Sequence, residues 1–377
     1  MTRPRLALIG TGGHGRGHLA QGRRLHDEGA VQLVAVADPH PPAADDLPDG
    51  VARFTGGAEL IAAGGADVAV ICTPIHTHYD LAAAALEAGM DVLLEKPTTA
   101  TLDEFERLTA VAQRTGRLVQ VGFQSLGSEA IGLIRSRIDA GEIGEVVRYS
   151  ATGAWVRDEA YWTRSAWAGR RVLDGRVVAD GALTNPLAHA TATALALAGA
   201  TLTTSVRSLE VDLWRAADIE ADDTSVAVFT LDGGLKLTTA VTLAASVQTD
   251  PYVEVTGTSG ALRLWYTKDV VELRGPDGAV RDRTRTSRAD LLENLLAARE
   301  GRAGLFAPIA RTGAFMRLVD SVVEAPAPRP VAPHAVSAVV DDAGRRRVIA
   351  GIEEELDRAL RLERTFTSLR SAFTEAS

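Results

Sequence analysis

Cysteine is all but missing from this 377-residue chain, which carries one, Cys72, in the apolar run Ala66–Cys72. A lone thiol makes no internal disulfide, so the expectation is a cytoplasmic protein with a buried, reduced cysteine. Positive charge is in deficit: 40 basic residues against 49 acidic ones leave a net charge of −9. That balance lacks the electrostatic footprint of a protein that grips nucleic acid or an anionic membrane surface. The run Arg345–Arg347 stands alone and reads as the solvated edge of a helix. A membrane span is also lacking. Gly181–Val206 passes 26 residues without Asp, Glu, Lys or Arg, but it contains Asn185, Pro186, His189 and six threonines. Such a stretch is too polar and interrupted to face lipid. No secretory leader is expected, because Arg3 and Arg5 run at once into a short strand pattern and a glycine turn.

Lysine is scarce as well. Only Lys96, Lys236 and Lys268 are lysines, and the other 37 basic residues are arginines. Where arginine serves almost every surface charge, a remaining lysine invites a functional explanation, since only lysine is a compact charge whose protonation answers to its surroundings.

What is present fits a soluble globular protein: 46% apolar and 24% charged residues. At roughly 150 residues per domain the length suggests two domains. Residues 1–124 alternate continuous apolar strands (Arg5–Ile9, Val31–Ala37, Asp67–Cys72, Asp91–Leu94, Leu118–Gly122) with helices at Gly15–Glu28, Thr77–Ala88 and Leu102–Arg114. Thr101 is the expected N-cap of the last, with Glu104 in the capping-box position. This rhythm predicts a doubly wound α/β domain around a parallel sheet. From residue 125 onward, a helix near Glu129–Ala140 precedes strand candidates at Glu145–Trp155, Thr203–Trp214, Asp223–Leu231, Leu235–Leu243, Tyr252–Thr256, Ala261–Tyr266 and Val270–Leu273. Strands clustered this way predict an α+β domain over 125–377 with a large, mostly antiparallel sheet. Helices are expected at Arg288–Arg299, Ile309–Val323 and Arg345–Glu363, the last a candidate to pack back on the first domain.

Gly10-Thr11-Gly12-Gly13-His14-Gly15 follows the first strand and opens a helix. It matches G-x-G-x-x-G: Gly10 for the tight turn, Gly12 for close approach of a pyrophosphate, Gly15 for helix–strand packing. Asp38 ends the next strand, where a carboxylate accepts hydrogen bonds from a ribose diol and repels a 2′-phosphate. NAD is therefore the expected cofactor, in preference to NADP.

Glu95-Lys96-Pro97 ends the fourth strand, at the sheet edge where such folds place ligands. Pro97 restricts the backbone of Lys96. A protonated amine there stabilises developing alkoxide charge on a substrate oxygen, and a neutral one could act as a base. The third strand ends in Thr73-Pro74-Ile75-His76-Thr77-His78, which lays backbone amides and His76 along the cofactor, with Thr77 or His78 capping the next helix. His76 and His78 lack a third ligand nearby, so no metal is expected. In the second domain Asn185 and His189 are four apart and share a helical face if the helix begins near Pro186, with Asn185 as N-cap. Histidine suits the removal of a hydroxyl proton near neutral pH; a packed core histidine is the competing reading.

Together these residues resemble the glucose–fructose oxidoreductase/inositol dehydrogenase/MocA (Gfo/Idh/MocA) family, over nearly the whole chain. The resemblance rests on Gly10–Gly15, Asp38, Thr73-Pro74, Glu95-Lys96-Pro97, Val121-Gly122-Phe123, Gly141–Gly144 and the Asn185–His189 segment. It implies a Rossmann domain followed by an α/β domain whose open sheet often forms the oligomer interface, hence a homodimer or homotetramer. It also implies a sugar, sugar derivative or cyclitol as substrate. Lys96, Asn185 and His189 would then stand at the reaction centre, converging beside the cofactor. Two departures stand out: Asn185 replaces the usual carboxylate four residues before the histidine, and Gln124 replaces the usual asparagine after Gly-Phe. Gln124 joins the glycine turn, Asp38, Thr73, Pro74, His76, Glu95 and Lys96 as a cofactor-binding candidate. Arg164 and Trp167 lie in a loop that looks like a substrate loop, with loop packing as the alternative. The resemblance implies an oxidoreductase acting on a secondary hydroxyl. A redox-neutral glycosidase or lyase that uses NAD transiently, and a non-catalytic NAD-binding sugar sensor, are the alternatives.

Overall fold

The computed structural model describes residues 3–341 and 344–375. They form two compact units: residues up to Phe123 together with Asp290–Ala310, and Gln124–Ala289 together with residues from Arg311 on.

The first unit is built on six parallel strands, β1 (Arg5–Ile9), β2 (Gln32–Ala37), β3 (Ala52–Phe54), β4 (Val68–Ile71), β5 (Asp91–Leu94) and β6 (Val119–Val121), in the order β3-β2-β1-β4-β5-β6. β4 and β5 are buried along their whole length, as the apolar runs Val68–Ile71 and Val92–Leu94 require when helices cover both faces, and buried Asp91 accepts from the Leu118 amide at 2.9 Å. Helices α1 (Gly15–Asp27), α2 (Gly57–Ala63), α3 (His78–Glu87) and α4 (Leu102–Thr115) make the crossovers. At the start of α4 the Thr101 hydroxyl accepts from the Glu104 amide at 3.2 Å, and the Glu104 carboxylate accepts from the Ala100 amide at 3.1 Å. The second bond falls one residue before the N-cap, so the box is a shifted one. Strand order reverses between β1 and β4, which opens a crevice at their carboxyl ends.

The helix Leu291–Arg299 also belongs to this unit. Asp290 caps it, accepting from the Leu292 and Glu293 amides at 2.8 and 3.0 Å. Leu291, Leu292, Leu295 and Leu296 join Leu6, Leu8, Val36, Val68 and Leu93 in one core. Gln120 holds the segment by donating to the Asn294 carbonyl at 2.6 Å and accepting from the Ala307 amide at 2.9 Å.

The second unit contains β7 (Val146–Ala154), a small hairpin β8 (Val172–Leu173) and β9 (Arg176–Val177), then β10 (Val206–Arg215), β11 (Thr224–Leu231), β12 (Lys236–Thr242), β13 (Tyr252–Gly257), β14 (Ala261–Trp265), β15 (Val270–Arg274), β16 (Val280–Arg285) and β17 (Arg329–Pro330). Nine of these form a sheet in the order β16-β15-β14-β13-β7-β12-β11-β10-β17, antiparallel except for the β7–β12 and β10–β17 pairs. The helix Ile352–Leu362 places Ile352, Leu356, Ala359 and Leu360 in a core with Trp214, Val226, Val228 and Ala240.

The charge-free stretch holds the helix Ala188–Leu197, buried at every position except His189. Its hydroxyls are satisfied inside the unit: Thr191 reaches Thr239 at 3.1 Å and Thr193 reaches Ser125 at 2.8 Å. A helix that is apolar all round and lined with partnered hydroxyls is a core element. No helix among the described residues is long and apolar enough to cross a membrane.

Three sequence expectations are corrected. The strand Ala52–Phe54 and helix Gly57–Ala63 lie between the second and third expected strands. The edge strand Val280–Arg285 is additional too. Arg345–Arg347 lies in the strand Gly344–Ile349, paired with Val336–Asp341, and the last long helix begins only at Ile352. Gly351, in the left-handed region at φ 67°, separates the strand from the helix.

Candidate active site

In the first unit the glycine turn is fixed by close contacts. Gly10 has φ 90°, and a Cβ placed on it would lie 2.0 Å from the Cys72 carbonyl oxygen at the end of β4. A Cβ on Gly15 would meet the Gly10 carbonyl oxygen at 2.1 Å. Gly12 differs: its nearest neighbour would be the Asp38 carboxylate at 3.8 Å, and Gly13 has nothing within 4 Å. Two glycines thus allow the backbone to pack on itself, and two leave open space above the turn.

Asp38 sits beneath that space. Its Oδ2 accepts from the amides of Thr11 at 2.8 Å and Gly12 at 3.1 Å, and its Oδ1 from the His40 amide at 2.9 Å. Burial alone would raise its pKa, but these amide donors outweigh burial and hold the carboxyl below its ordinary value. The Thr11 and Gly12 amides are therefore aimed at Asp38. Those of Gly13 and His14, at the amino end of α1, donate to no backbone carbonyl among the described residues. Exposed N–H groups at a helix N-terminus form a cradle for an anion, and a carboxylate beside it disfavours a further phosphate on the ribose. The arrangement fits a dinucleotide whose ribose carries free hydroxyls.

After β4, Thr73 and Thr77 share a hydroxyl contact of 2.7 Å, and Thr77 donates to the Pro74 carbonyl at 2.8 Å. His76 is half-buried in the short turn Ile75–Thr77. Neither Thr77 nor His78 caps α3 with its side chain. His78 instead bridges two loops, its ring nitrogens lying 2.8 Å from the Thr73 carbonyl oxygen and 2.9 Å from that of Pro97. Burial pushes its pKa down against these two carbonyl contacts, which favour N–H on the ring, and the ring's role is to tie the loops together. Cys72, partly exposed, has its thiol pushed up to about 12, chiefly by burial and then by Glu95, so it stays protonated and inert.

The Glu95 side chain is buried. Its Oε1 lies 2.8 Å from His18 Nε2 and 3.4 Å from His14 Nε2, and its Oε2 accepts from the Lys96 amide at 3.2 Å. Room for it exists because position 122 is glycine, where a Cβ would approach the carboxylate to 2.8 Å. Burial would raise the Glu95 pKa, yet hydrogen bonds from His14 and His18 hold it well below the carboxylate range. The ligand atoms of His14, His18 and Glu95 all lie within 4.8 Å of one another. Lys96 adds positive charge beside His14, which disfavours a cation there. Lys96 itself is half-buried and precedes Pro97 through a cis peptide bond.

In the second unit the helix bearing His189 starts at Ala188, with Leu187 rather than Asn185 at its N-cap. Pro186 and Asn185 belong to the preceding turns. Those turns are tightly held: the Gly181 amide donates to the Thr184 hydroxyl at 3.1 Å, the Asn185 amide to the Gly181 carbonyl at 3.0 Å, and the Ala182 amide to the Asp222 carbonyl at 3.0 Å. Asn185 donates its side-chain amide to buried Asp180. Arg164 also pairs with Asp180, at 3.0 Å, donates to the Tyr161 carbonyl at 2.7 Å, and stacks 3.8 Å from the Tyr161 ring and 4.7 Å from the Trp167 ring. The guanidinium thus organises the loop that carries Trp167. Gln124 opens the short turn Gln124–Gly127 of this same unit.

His18 and Asp180 are site-shaping residues missing from the sequence-based set, whereas the sequence offers His78 only as a candidate helix cap. Only His18 carried a signal, four positions from His14 on one helix face.

Comparison with known proteins follows this division. The model of an oxidoreductase family with an NAD-binding Rossmann fold, named for Gfo, Idh and MocA, matches residues 4–123, and the C-terminal domain of the same family matches residues 132–263. The rhizopine catabolism protein MocA of Rhizobium meliloti is 32% identical over 147 residues, which is 39% of this chain and 45% of that protein. The scyllo-inositol 2-dehydrogenase (NAD(+)) of Bacillus subtilis is 34% identical over 148 residues, 38% of this chain and 43% of that one. The matches thus span less than half the length of these relatives. Among solved structures, the WlbA dehydrogenase of Bordetella pertussis in complex with NADH and UDP-GlcNAcA superposes with a TM-score of 0.68 at 21% identity, covering 85% of this chain and 95% of that one. A levoglucosan dehydrogenase in complex with NADH gives 0.70 at 18% identity, covering 85% and 96%. At these identities the likeness is one of fold.

Proposed function

Because the chain belongs to the Gfo/Idh/MocA oxidoreductase family, we propose that it is an NAD-dependent dehydrogenase acting on a secondary hydroxyl of a sugar, sugar derivative or cyclitol. The observation that carries this reading is the pairing of a dinucleotide cradle after β1, with Asp38 beneath it, and a lysine after β5 on the same sheet. When bound, the nicotinamide supplies the acceptor for the hydride that leaves the carbinol carbon.

This chain's residues would do the rest. Gly13 and His14 offer amides to the pyrophosphate, and Asp38 offers remaining lone pairs to the ribose diol. Lys96, as an ammonium, lowers the charge that builds on the substrate oxygen. His189, the one unburied position of its helix, accepts the hydroxyl proton. The reading requires both groups to reach the same substrate oxygen. Asn185 and Trp167 are assigned to substrate hydroxyls and to the sugar face, and Arg164 to holding the loop that carries Trp167.

A panel of sugars and inositols, assayed with NAD+ by NADH absorbance, tests the proposal. Accumulation of NADH with at least one polyol is expected. Absence of turnover with every polyol, in protein that binds NADH, would contradict it.

A further inference from the structure

His14, whose amide closes the dinucleotide cradle, also carries a titratable ring. The side chain is 68% exposed, so solvent protons reach it, and its Nε2 lies 3.4 Å from Glu95 Oε1. His18, one turn further along α1, holds the same oxygen at 2.8 Å, and the two rings meet edge to face with centroids 5.4 Å apart. The hydrogen bond to Glu95 raises the His14 pKa above its ordinary value, against burial and the charge of Lys96. The remaining ionisable groups around the turn are Asp38, which backbone amides hold low, and Cys72, which burial keeps protonated. With the His14 ring neutral, Lys96 and Glu95 offset one another. With it protonated, the group gains a positive charge.

We infer that dinucleotide binding is coupled to protonation of His14: a diphosphate on the His14 amide and an imidazolium on the same residue stabilise each other, so a proton is taken up as the cofactor binds. The inference rests on the cradle reading above. It does not depend on which way the ring turns. Within one residue the amide and the imidazole are no more than about 6 Å apart, so a phosphate oxygen on that amide lies within about 9 Å of the ring. That is inside the screening length of about 10 Å at 0.1 M salt. Nε2 is engaged with the ionised Glu95 carboxylate, which only accepts. The proton gained from solvent therefore goes to Nδ1, and no bond of the cofactor changes. Because the bound anion favours the imidazolium, the ring titrates at higher pH in the complex than in the unliganded protein. Reciprocity then fixes the sign: affinity rises as pH falls through the titration of the complex and levels off below that of the unliganded protein.

Calorimetric titration of the full-length protein with NAD+, in buffers of different ionisation enthalpy, counts the protons. Net uptake near pH 7 is expected, with binding about ten-fold tighter at pH 6 than at pH 8.5. His14→Gln keeps the backbone amide at an exposed position. It should abolish the uptake and leave an affinity that varies less than about two-fold over the same range. Uptake that survives in His14→Gln and disappears in His18→Gln would assign the proton to the other ring and overturn the inference. A second measurement follows the ring itself: by NMR, the His14 Cε1–H signal should titrate at higher pH with NAD+ bound than without it, and an unmoved midpoint overturns the inference. NAD+ that binds equally well at both pH values, with no proton uptake, overturns the coupling and leaves the cradle reading intact. Folded protein that binds no NAD+ at any pH overturns both.

Discussion

The Cys72 carbonyl oxygen occupies the space that a side chain at position 10 would need, 2.0 Å from where a Cβ on Gly10 would sit. The contact joins the ends of the two strands between which the sheet reverses its order. It also separates two kinds of glycine in one short turn. Gly10→Ala must move backbone and adopt an unfavourable φ, so it should cost about 1–3 kcal/mol of stability and weaken NADH binding as well. Gly12→Ala meets only Asp38, at ordinary contact distance, and should melt within a degree or so of the parent while binding NADH at least about ten-fold more weakly. Thermal unfolding and NADH fluorescence titration on the two variants check the contrast.

Asp38 sets the choice of dinucleotide by charge. In Asp38→Ala the repulsion of a 2′-phosphate disappears, and so do the acceptors for the Thr11 and Gly12 amides. Affinity for NADH should fall about ten-fold, and the preference for NADH over NADPH should narrow by at least as much. Parallel titrations with the two reduced cofactors measure this; an unchanged ratio would remove Asp38 from the selectivity argument.

Glu95 and His14 give stability a definite pH window. The Glu95 carboxyl is held low in the folded protein, so its contribution is complete above its unfolded value, about 4.3, and is lost as pH falls through the folded value. His14 is shifted the other way, mainly by its hydrogen bond to Glu95, so its contribution is complete below about 6.5 and is lost as pH rises through its folded value. The cluster should stabilise most between about pH 4.5 and 6.5. Glu95→Gln should lower the melting temperature most in that window, with the difference shrinking below about pH 4.

At the proposed reaction centre, Lys96→Met should lose about 10²–10³-fold in kcat. His189→Gln should lose about 10²–10⁴-fold and flatten the pH dependence near neutrality. Wild-type rates in either variant would take that residue out of the chemistry.

Much of this organisation is written locally in the sequence. β1, the glycine turn, Asp38, β5 with Glu95-Lys96-Pro97 and the capped start of α4 are each specified by residues within a few positions of one another. Features set by distant partners were not legible. Ala52–Phe54 and Val280–Arg285 are edge strands with exposed side chains and no apolar run to announce them. Arg345–Arg347 looks helical by charge, but pairing with Val336–Asp341 makes it a strand. The helix expected from Pro186 begins at Ala188, because Gly181, Thr184 and Asp222 hold the preceding residues in turns. Asp180, an isolated acid in Val-Val-Ala-Asp-Gly, gains its meaning only when Arg164, Gly169 and Asn185 fold around it.

The account depends above all on an ammonium and an imidazole serving one substrate oxygen. A crystal structure with NAD+ and a polyol that passes the turnover assay measures this directly. Both Lys96 Nζ and a ring nitrogen of His189 should lie within hydrogen-bond distance of a single hydroxyl, whose carbon faces the nicotinamide C4. A polyol seated with either group turned to solvent, or bound to a different hydroxyl, would contradict the mechanism.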